Sequence, residues 1–256
     1  MKFPLTVAAI ALAALMPPGD AAALQESGDP LASARWGEMQ KAFLAGAPVL
    51  FDPRVKVVAP AMAENPMQVP VTVDATALPN VQEVVVFADF NPIVQVLRFF
   101  PEAGTAYLGF RVKLQQSTPV RAAVRTADGV WHVGGVWVET VGGGCTAPSA
   151  AAGSKEWQQR LNEVTGRQWS EGPLAGRLRL RIVHPMDTGL VAGTPAFFLE
   201  EINFTDAAGK RLMRVQTYEP VSENPVFTLS RGDTAGTVEA SGRDNNGNAF
   251  KARIAP

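Results

Sequence analysis

The residue best suited to covalent chemistry is Cys145, the only cysteine of the 256-residue chain. It directly follows three glycines, Gly142, Gly143 and Gly144. A single cysteine cannot form an internal disulfide, so it is a buried apolar side chain, an intermolecular link or a reactive thiol. Consecutive glycines give the backbone conformational freedom and no side chain to pack, which favours a presented thiol over a core position. The sequence therefore predicts a flexible arm of three glycines that exposes Cys145.

The predicted arm is long enough to carry the sulfur clear of the preceding strand. Four residues beyond Val141 span roughly 13 Å at about 3.3 to 3.6 Å per residue. The nearest charged residues along the chain are Glu139 and Lys155, so no neighbour in sequence lowers the thiol pKa below its usual value of about 8.5. We therefore expect the thiol to become reactive when it docks into the site of a partner.

Other chemistry-bearing residues do not form a recognisable set. The histidines His132 and His184, with Cys145 and Met186, supply the residue types of a blue-copper site. However, His184 lies across a linker from the cysteine, so we predict no metal site. The sequence contains no Ser-His-Asp set, no Gly-x-Ser-x-Gly elbow and no phosphate-binding glycine loop. We therefore predict no catalytic residues and no cofactor, and a protein that is not an enzyme.

The charge balance and the first residues limit the cellular role. With 23 Lys and Arg against 24 Asp and Glu, the net charge is -1, which excludes a basic nucleic-acid or lipid binder. Lys2, the apolar segment 5–16 and the three alanines that end at Ala23 are typical of a secretory signal peptide over residues 1–23. No later segment has the roughly 20 apolar residues of a membrane span. We expect an exported protein, periplasmic in a bacterium, cleaved near Ala23.

The pattern of apolar residues predicts an all-β protein with two sandwich domains in tandem. A short helix is predicted over 29–46, ahead of strands over 55–59, 69–75, 81–88, 93–99, 106–114, 120–126 and 131–141. Asp128-Gly129 is the strongest hairpin signal. The first domain spans 24–145, a flexible linker with a short helix near Trp157 spans 146–172, and the second domain spans 173–256. Its predicted strands cover 177–182, 197–205, 211–217, 226–230, 237–241 and 248–254.

The alternation of residues 177–182 predicts a half-buried strand whose outer face carries Arg177, Arg179 and Arg181. Such a face could bind a carboxylate or an acidic partner. A solvated sheet face is the simpler interpretation.

Several segments resemble known sulfur-oxidation proteins. The first half resembles SoxY, the sulfur-carrier subunit of the thiosulfate-oxidising system, at residues 111–114, 117–122, 125–126, 128–129 and 141–145. The second half resembles SoxZ, the partner of SoxY, at residues 176–179, 184–190 and 222–225. Both in one chain look like the fused SoxYZ-like carriers that are associated with quinoprotein dehydrogenases. The SoxY pattern ends with two further glycines, whereas here Thr146 and Ala147 follow Cys145 and the chain continues.

This resemblance implies two immunoglobulin-like sandwiches and a cysteine that holds a sulfur intermediate covalently while partner enzymes act on it. The expected partners are periplasmic redox enzymes, either Sox-type cytochromes or a quinoprotein dehydrogenase system. A different function also fits the sequence, namely a non-catalytic binding or assembly module for a quinoprotein dehydrogenase, because fold alone does not separate the two roles.

Overall fold

Strands are the main secondary structure of the protein. The computed structural model describes residues 28–149, 156–170, 176–232 and 236–256, and the predicted signal peptide lies outside them. The elements of the first half are α1 (Trp36–Leu44), β1 (Val49–Phe51), β2 (Lys56–Val58), β3 (Met62–Ala63), β4 (Val69–Asp74), β5 (Val81–Ala88), β6 (Gln95–Phe100), β7 (Thr105–Val112), β8 (Thr118–Thr126) and β9 (Trp131–Thr140). Those of the second half are α2 (Glu156–Gln159), β10 (Val164–Ser170), β11 (Gly176–Ile182), β12 (Leu199–Thr205), β13 (Arg211–Thr217), β14 (Val226–Gly232), β15 (Val238–Asp244) and β16 (Ala249–Ile254). The predicted all-β class, with tandem immunoglobulin-like domains and a short N-terminal helix, is confirmed.

The described strands form two sheets, and both sheets run through both halves of the chain. The larger sheet has the order β1-β9-β8-β5-β6-β13-β12-β15-β16, with β3 also paired to β9. The smaller sheet has the order β10-β11-β14-β7-β4-β2. The halves meet where β6 pairs with β13, at Phe99 opposite Val215, and where β7 pairs with β14, at Leu108 opposite Leu229. The second domain therefore continues the sheets of the first.

One apolar core lies between the sheets and spans the two halves. Its buried members include Phe99 and Leu108 from the first half and Leu180, Phe204 and Phe227 from the second. Because these side chains pack in one continuous cluster, removing either half would expose core surface of the other.

Helix α1 covers the outer face of the larger sheet. Its buried residues Met39 and Leu44 pack in a second cluster with Phe87 and Trp131. The helix is shorter than predicted and ends where Ala45 takes a left-handed conformation with φ 49. The segment before it is held by Asp29, whose carboxylate accepts hydrogen bonds from the backbone N–H groups of residues 31 and 33.

Local patterns predicted several elements correctly. Asp128-Gly129 forms the turn between β8 and β9, with the Thr126 N–H bonded to the Val130 carbonyl and Gly129 at φ +84. In β11 every apolar position is buried, while Arg179 and Arg181 are exposed.

The segment after the linker differs from the prediction. Trp157, Leu161 and Val164 have helical spacing, but α2 ends at Gln159, and Val164–Ser170 form the strand β10. This strand pairs with β11 along its whole length, Val164 opposite Ile182. A complete ladder of hydrogen bonds to a distant strand therefore overrides the local apolar spacing. Among the described residues, no helix is long and apolar enough to cross a membrane.

Candidate functional site

The glycine segment folds back onto the protein body. After β9, the N–H of Gly143 bonds to the Gln115 carbonyl and the N–H of Gly144 to the Leu114 carbonyl, both at 3.0 Å. The arm is thus paired with the segment between β7 and β8. Its first residue is also fixed, because the Gly142 N–H bonds to the hydroxyl of Thr140 at 3.3 Å.

Two of the three glycines are required by close backbone contacts. A Cβ on Gly144 would lie 2.2 Å from the Pro66 carbonyl oxygen and 2.7 Å from that of Leu114. A Cβ on Gly142 would lie 2.5 Å from the Gln115 oxygen, and Gly142 has φ +85. Gly143 has φ +87 but faces open space. Glycine at 142 and 144 therefore permits a tight turn into the body, a role different from the flexibility that the sequence suggested.

Cys145 is buried, and the expectation of an exposed thiol is wrong for this structure. Its exposed fraction is 0%. The thiol donates a hydrogen bond of 3.5 Å to the carbonyl of Lys113, and the Cys145 N–H donates one of 3.2 Å to the side-chain oxygen of Gln115. The sulfur therefore lies against the end of β7 instead of roughly 13 Å beyond β9.

A buried ammonium accompanies the thiol. Lys113 is 3% exposed, and its ammonium donates to the Met186 carbonyl and, at 3.5 Å, to the Glu219 carbonyl. Burial lowers the pKa of Lys113 to about 8, although the charges of Cys145 and nearby carboxylates raise it in part. The sequence predicted no cation near the cysteine, because none is close to it along the chain. Lys113 lies 32 residues from Cys145 in sequence and comes near it only in the fold.

The second half of the chain closes over the cysteine. The hydroxyl of Thr188 donates to the Cys145 carbonyl at 2.7 Å and also accepts the N–H of Leu190 at 3.2 Å. Met186, which binds Lys113, is fully buried and has φ 52. A left-handed backbone is uncommon for such a side chain, and here it aims the carbonyl at the ammonium. The site is therefore built from both halves.

His184 supports this loop from within. Its Nδ1 accepts the N–H of Met186 at 3.1 Å, and its Nε2 lies 3.6 Å from a carboxylate oxygen of the fully buried Asp244. Burial lowers the pKa of His184 to about 4; the carboxylate of Asp244 opposes this effect in part, and the charge of Lys113 adds a smaller contribution to the lowering. His184 is therefore neutral at physiological pH and carries its proton on Nε2, since Nδ1 is an acceptor.

The electrostatics of the site keep the thiol protonated. Burial raises the pKa of Cys145 to about 11, and the nearby Lys113 offsets part of this effect. A thiol is nucleophilic only as the thiolate. In the closed structure Cys145 is thus shielded and unreactive at neutral pH.

The histidines do not join the cysteine in a metal site. His132 bonds through Nδ1 to Asp52 at 2.7 Å, and the pKa of Asp52 falls to about 2, mainly through its hydrogen bonds with Arg54. This cluster lies on β9 and the loop after β1. In the parts of the chain that the structure describes, no group of three His, Cys, Asp or Glu side chains is placed to hold a metal ion.

Sequence reasoning identified Cys145 but missed the residues that surround it. Lys113 and the segment 184–190 were noted only as points of resemblance, and Gln115 was not noted at all. Thr188 had one available signal, its place in the SoxZ-like segment that directly follows the arginine strand. No local signal connects that segment to the cysteine.

Comparison with known families gives two matches. The family model of the sulfur oxidation protein SoxY matches residues 39–145. The family model of the sulphur oxidation protein SoxZ matches residues 174–255. The first match ends on Cys145. These matches define a sulfur-oxidation protein of two domains. The chain belongs to the SoxY and SoxZ families, joined in one polypeptide as a fused SoxYZ sulfur carrier.

Comparison with the curated proteins finds no match. Among solved structures, the chain is similar to the sulfur carrier protein SoxY from Chlorobium limicola f thiosulfatophilum, with 20% identity and a TM-score of 0.36 over 41% of this chain and 94% of that one. It is also similar to a β-glucuronidase from Parabacteroides merdae, with 11% identity and a TM-score of 0.25 over 78% of this chain and 24% of that one. Both structural similarities are weak.

Proposed function

We propose that the protein is a periplasmic carrier that holds a sulfur intermediate covalently on Cys145 and presents it to redox enzymes. The observation that carries this proposal is the position of the only cysteine at the end of the SoxY match, in a site that the SoxZ half completes. A carrier of this kind bears a substrate and needs no catalytic group of its own.

The burial of the thiol adds a requirement to this function. The arm must leave the body before Cys145 can be loaded or unloaded, because the closed site excludes solvent. Gly143 is the natural pivot, since it faces open space and has a backbone conformation that glycine adopts without strain. Docking of a partner enzyme supplies the free energy for opening, and the thiol pKa then falls as the sulfur leaves its buried position.

The partners in this proposal are Sox-type cytochromes or the redox enzymes of a quinoprotein dehydrogenase system. The location rests on the signal-peptide pattern of residues 1–23. The choice of partners follows from the resemblance to fused carriers.

One observation favours a second function. A fully buried, protonated thiol is what a purely structural cysteine would show. The protein would then be a binding or assembly module for a quinoprotein dehydrogenase, with Cys145 as a packing residue.

The test is intact-mass analysis of the protein isolated from its host without reductant. The carrier function predicts a sulfur adduct on Cys145 under growth conditions in which sulfur compounds are oxidised. The host should lose the oxidation of sulfur compounds when it carries either Cys145→Ser or Cys145→Ala. An unmodified thiol under every growth condition, together with full activity of both variants, would establish the assembly role instead.

A further inference from the structure

The ammonium of Lys113 is a buried cation, and no described carboxylate pairs with it directly. Its hydrogen bonds go to the backbone carbonyls of Met186 and Glu219. Among the described residues, no carboxylate lies within ion-pair distance of it, and Asp187, Glu219 and Glu223 act on it only through longer-range charge. Burying a charge without a counter-ion is costly, and carbonyl dipoles compensate for only part of the cost.

The empty thiol does not supply the missing anion. Cys145 is in contact with the backbone of Lys113, and its charge acts on the ammonium. However, the thiol is neutral at physiological pH because burial raises its pKa to about 11. The unloaded site therefore combines a positive charge with a neutral sulfur.

A sulfur adduct would change this balance. A thiosulfonate group on the cysteine sulfur ends in a sulfonate, which is anionic at every relevant pH. The adduct thus adds a negative charge to the side chain that contacts the Lys113 backbone and is electrostatically coupled to the Lys113 ammonium. A close pair of opposite charges in a poorly solvated site is strongly coupled.

We propose that Lys113 is the counter-ion for the anionic sulfur adduct on Cys145, so that the loaded arm seats in the body beside this ammonium. The inference rests on the carrier function proposed above and concerns how the body of the protein holds the loaded arm. Lys113 acts here as a positioning residue for the adduct.

Open space lies beside the arm at Gly143, where no atom is within 4 Å of the place where a Cβ would stand. An outward shift of this residue makes room for the larger side chain, and it breaks the bond of the Gly143 N–H to the Gln115 carbonyl while Gly142 stays bonded to Thr140. On the C-terminal side Thr146 is exposed, but its hydroxyl bonds to the side-chain oxygen of Gln115 at 3.3 Å.

The test compares an anionic adduct with a neutral one on the full chain. Both are installed in urea, where Cys145 is accessible, and the protein is then refolded. The Cys145 thiolate attacks a central sulfur of tetrathionate; a new sulfur–sulfur bond forms, the central bond of tetrathionate breaks, and thiosulfate leaves with the electron pair. The cysteine is oxidised, the departing sulfur is reduced, and the thiol proton goes to solvent.

The neutral adduct is made with methyl methanethiosulfonate. The same thiolate attacks the divalent sulfur of the reagent, a disulfide bond forms, the bond from that sulfur to the sulfonyl sulfur breaks, and methanesulfinate leaves with the electron pair. The product is a methyl disulfide on Cys145. Urea unfolding of the two adducts then gives the ratio of their unfolding equilibrium constants, first in the wild-type protein and then in the Lys113→Met variant.

The expected result is an adduct ratio that depends on Lys113. In each protein, the unfolding equilibrium constant of the methyl disulfide is divided by that of the thiosulfonate. This ratio should be about tenfold or more larger in the wild-type protein than in Lys113→Met, which is the order expected for a close charge pair. Lys56→Met, at an exposed lysine of β2, is the matched control and should keep the wild-type ratio. If Lys113→Met does not fold, Lys113→Gln takes its place.

Two outcomes would overturn the proposal. One is the same adduct ratio in the wild-type protein and in the Lys113 variant. The other is a wild-type protein that refolds with the methyl disulfide but not with the thiosulfonate. These outcomes do not depend on the mass analysis of the native protein. If the native protein carries no adduct but the adduct ratio still depends on Lys113, the carrier function fails while the charge pairing stands.

Discussion

The hydroxyl of Thr188 donates a hydrogen bond of 2.7 Å to the carbonyl oxygen of Cys145. These residues lie in different family domains, 43 positions apart along the chain. The SoxZ half thus holds the cysteine of the SoxY half in its buried position. A carrier that must expose this thiol has to break the bond each time the arm opens.

Thr188→Val should make Cys145 more accessible. The substitution keeps the shape of the side chain but removes the hydroxyl, so the buried Cys145 carbonyl loses its donor and the Leu190 N–H loses its acceptor. A hydrogen bond of this kind contributes about 1 kcal/mol, so we expect the thiol to react with a disulfide reagent about five- to tenfold faster. The rate is measured with Ellman's reagent in excess at pH 8.

The control for this prediction is Thr165→Val, at an exposed position of β10. It makes the same chemical change away from the arm and should leave the thiol rate unchanged. Equal rates for Thr188→Val and the wild-type protein would show that Thr188 does not hold the arm.

Gly144→Ala should prevent the arm from seating. Its Cβ would lie 2.2 Å from the Pro66 carbonyl oxygen, which is a backbone atom, and a side-chain rotation can move neither the Cβ nor this oxygen. We expect Cys145 to become exposed and the protein to lose about 1 to 3 kcal/mol of unfolding free energy through the lost burial and strain. Thiol reactivity and urea unfolding measure the two effects.

Gly143→Ala is the matched comparison within the same arm. Its φ of +87 makes any side chain unfavourable, but the new Cβ meets no atom within 4 Å. We expect a cost of about 1 kcal/mol with Cys145 still protected. If the two alanine variants expose the thiol equally, the burial of Cys145 depends on the flexibility of the glycines and not on the close contact at Gly144.

Arg121→Met should destabilise the first domain strongly. The guanidinium is 1% exposed and binds Asp89, which is fully buried, and Asp29, which precedes α1. Removing it leaves a buried carboxylate without its cation, which costs about 3 to 5 kcal/mol. Arg125→Met on the same strand is the control, because Arg125 is 38% exposed and the buried Glu83 with which it pairs keeps a second ion pair, with Arg98 at 3.0 Å. Its loss should cost less than about 1 kcal/mol, and similar costs for both variants would contradict the prediction.

The fold could be predicted from sequence where its signals are local. The alternation around Leu178 and Leu180 and the turn at Asp128-Gly129 depend on neighbouring residues, and both were interpreted correctly. The joining of the sheets at Phe99 and Val215 depends on residues far apart in the chain. No periodicity reports such a register, so the sequence predicted two sandwiches in tandem but not the pairing of their sheets.

The site was predicted in part for the same reason. Cys145 was identified from its residue type and from the glycines before it. The glycines were interpreted as a source of flexibility, but at 144 the absence of a side chain allows a close contact with the backbone of Pro66. A glycine that provides flexibility and a glycine that permits a close backbone contact look the same in sequence, and only the packing in the structure distinguishes them. Lys113 reaches the cysteine through the return of the arm to β7, which the sequence does not encode locally.

The buried pair of Cys145 and Lys113 should give the protein a characteristic pH dependence of stability. The folded pKa of Cys145, about 11, exceeds its ordinary value of 9.0, so the folded state keeps the thiol proton longer than the unfolded state. The contribution of the thiol to stability is therefore complete below pH 9 and is lost as the pH rises to 11. Lys113 has the opposite sign: its pKa falls from 10.5 to about 8, so the cost of burying its charge is relieved between pH 8 and 10.5.

Urea unfolding of the wild-type protein and of Cys145→Ala between pH 7 and 11 isolates the contribution of the thiol. The difference in unfolding free energy should be constant to about pH 9 and then fall by about 2 to 3 kcal/mol, because two pKa units correspond to that amount. The wild-type protein compared with Lys113→Met should instead gain relative stability from pH 8 upward. A Cys145 difference that stays constant to pH 11 would mean that the thiol has an ordinary pKa, and hence that the arm is open in solution.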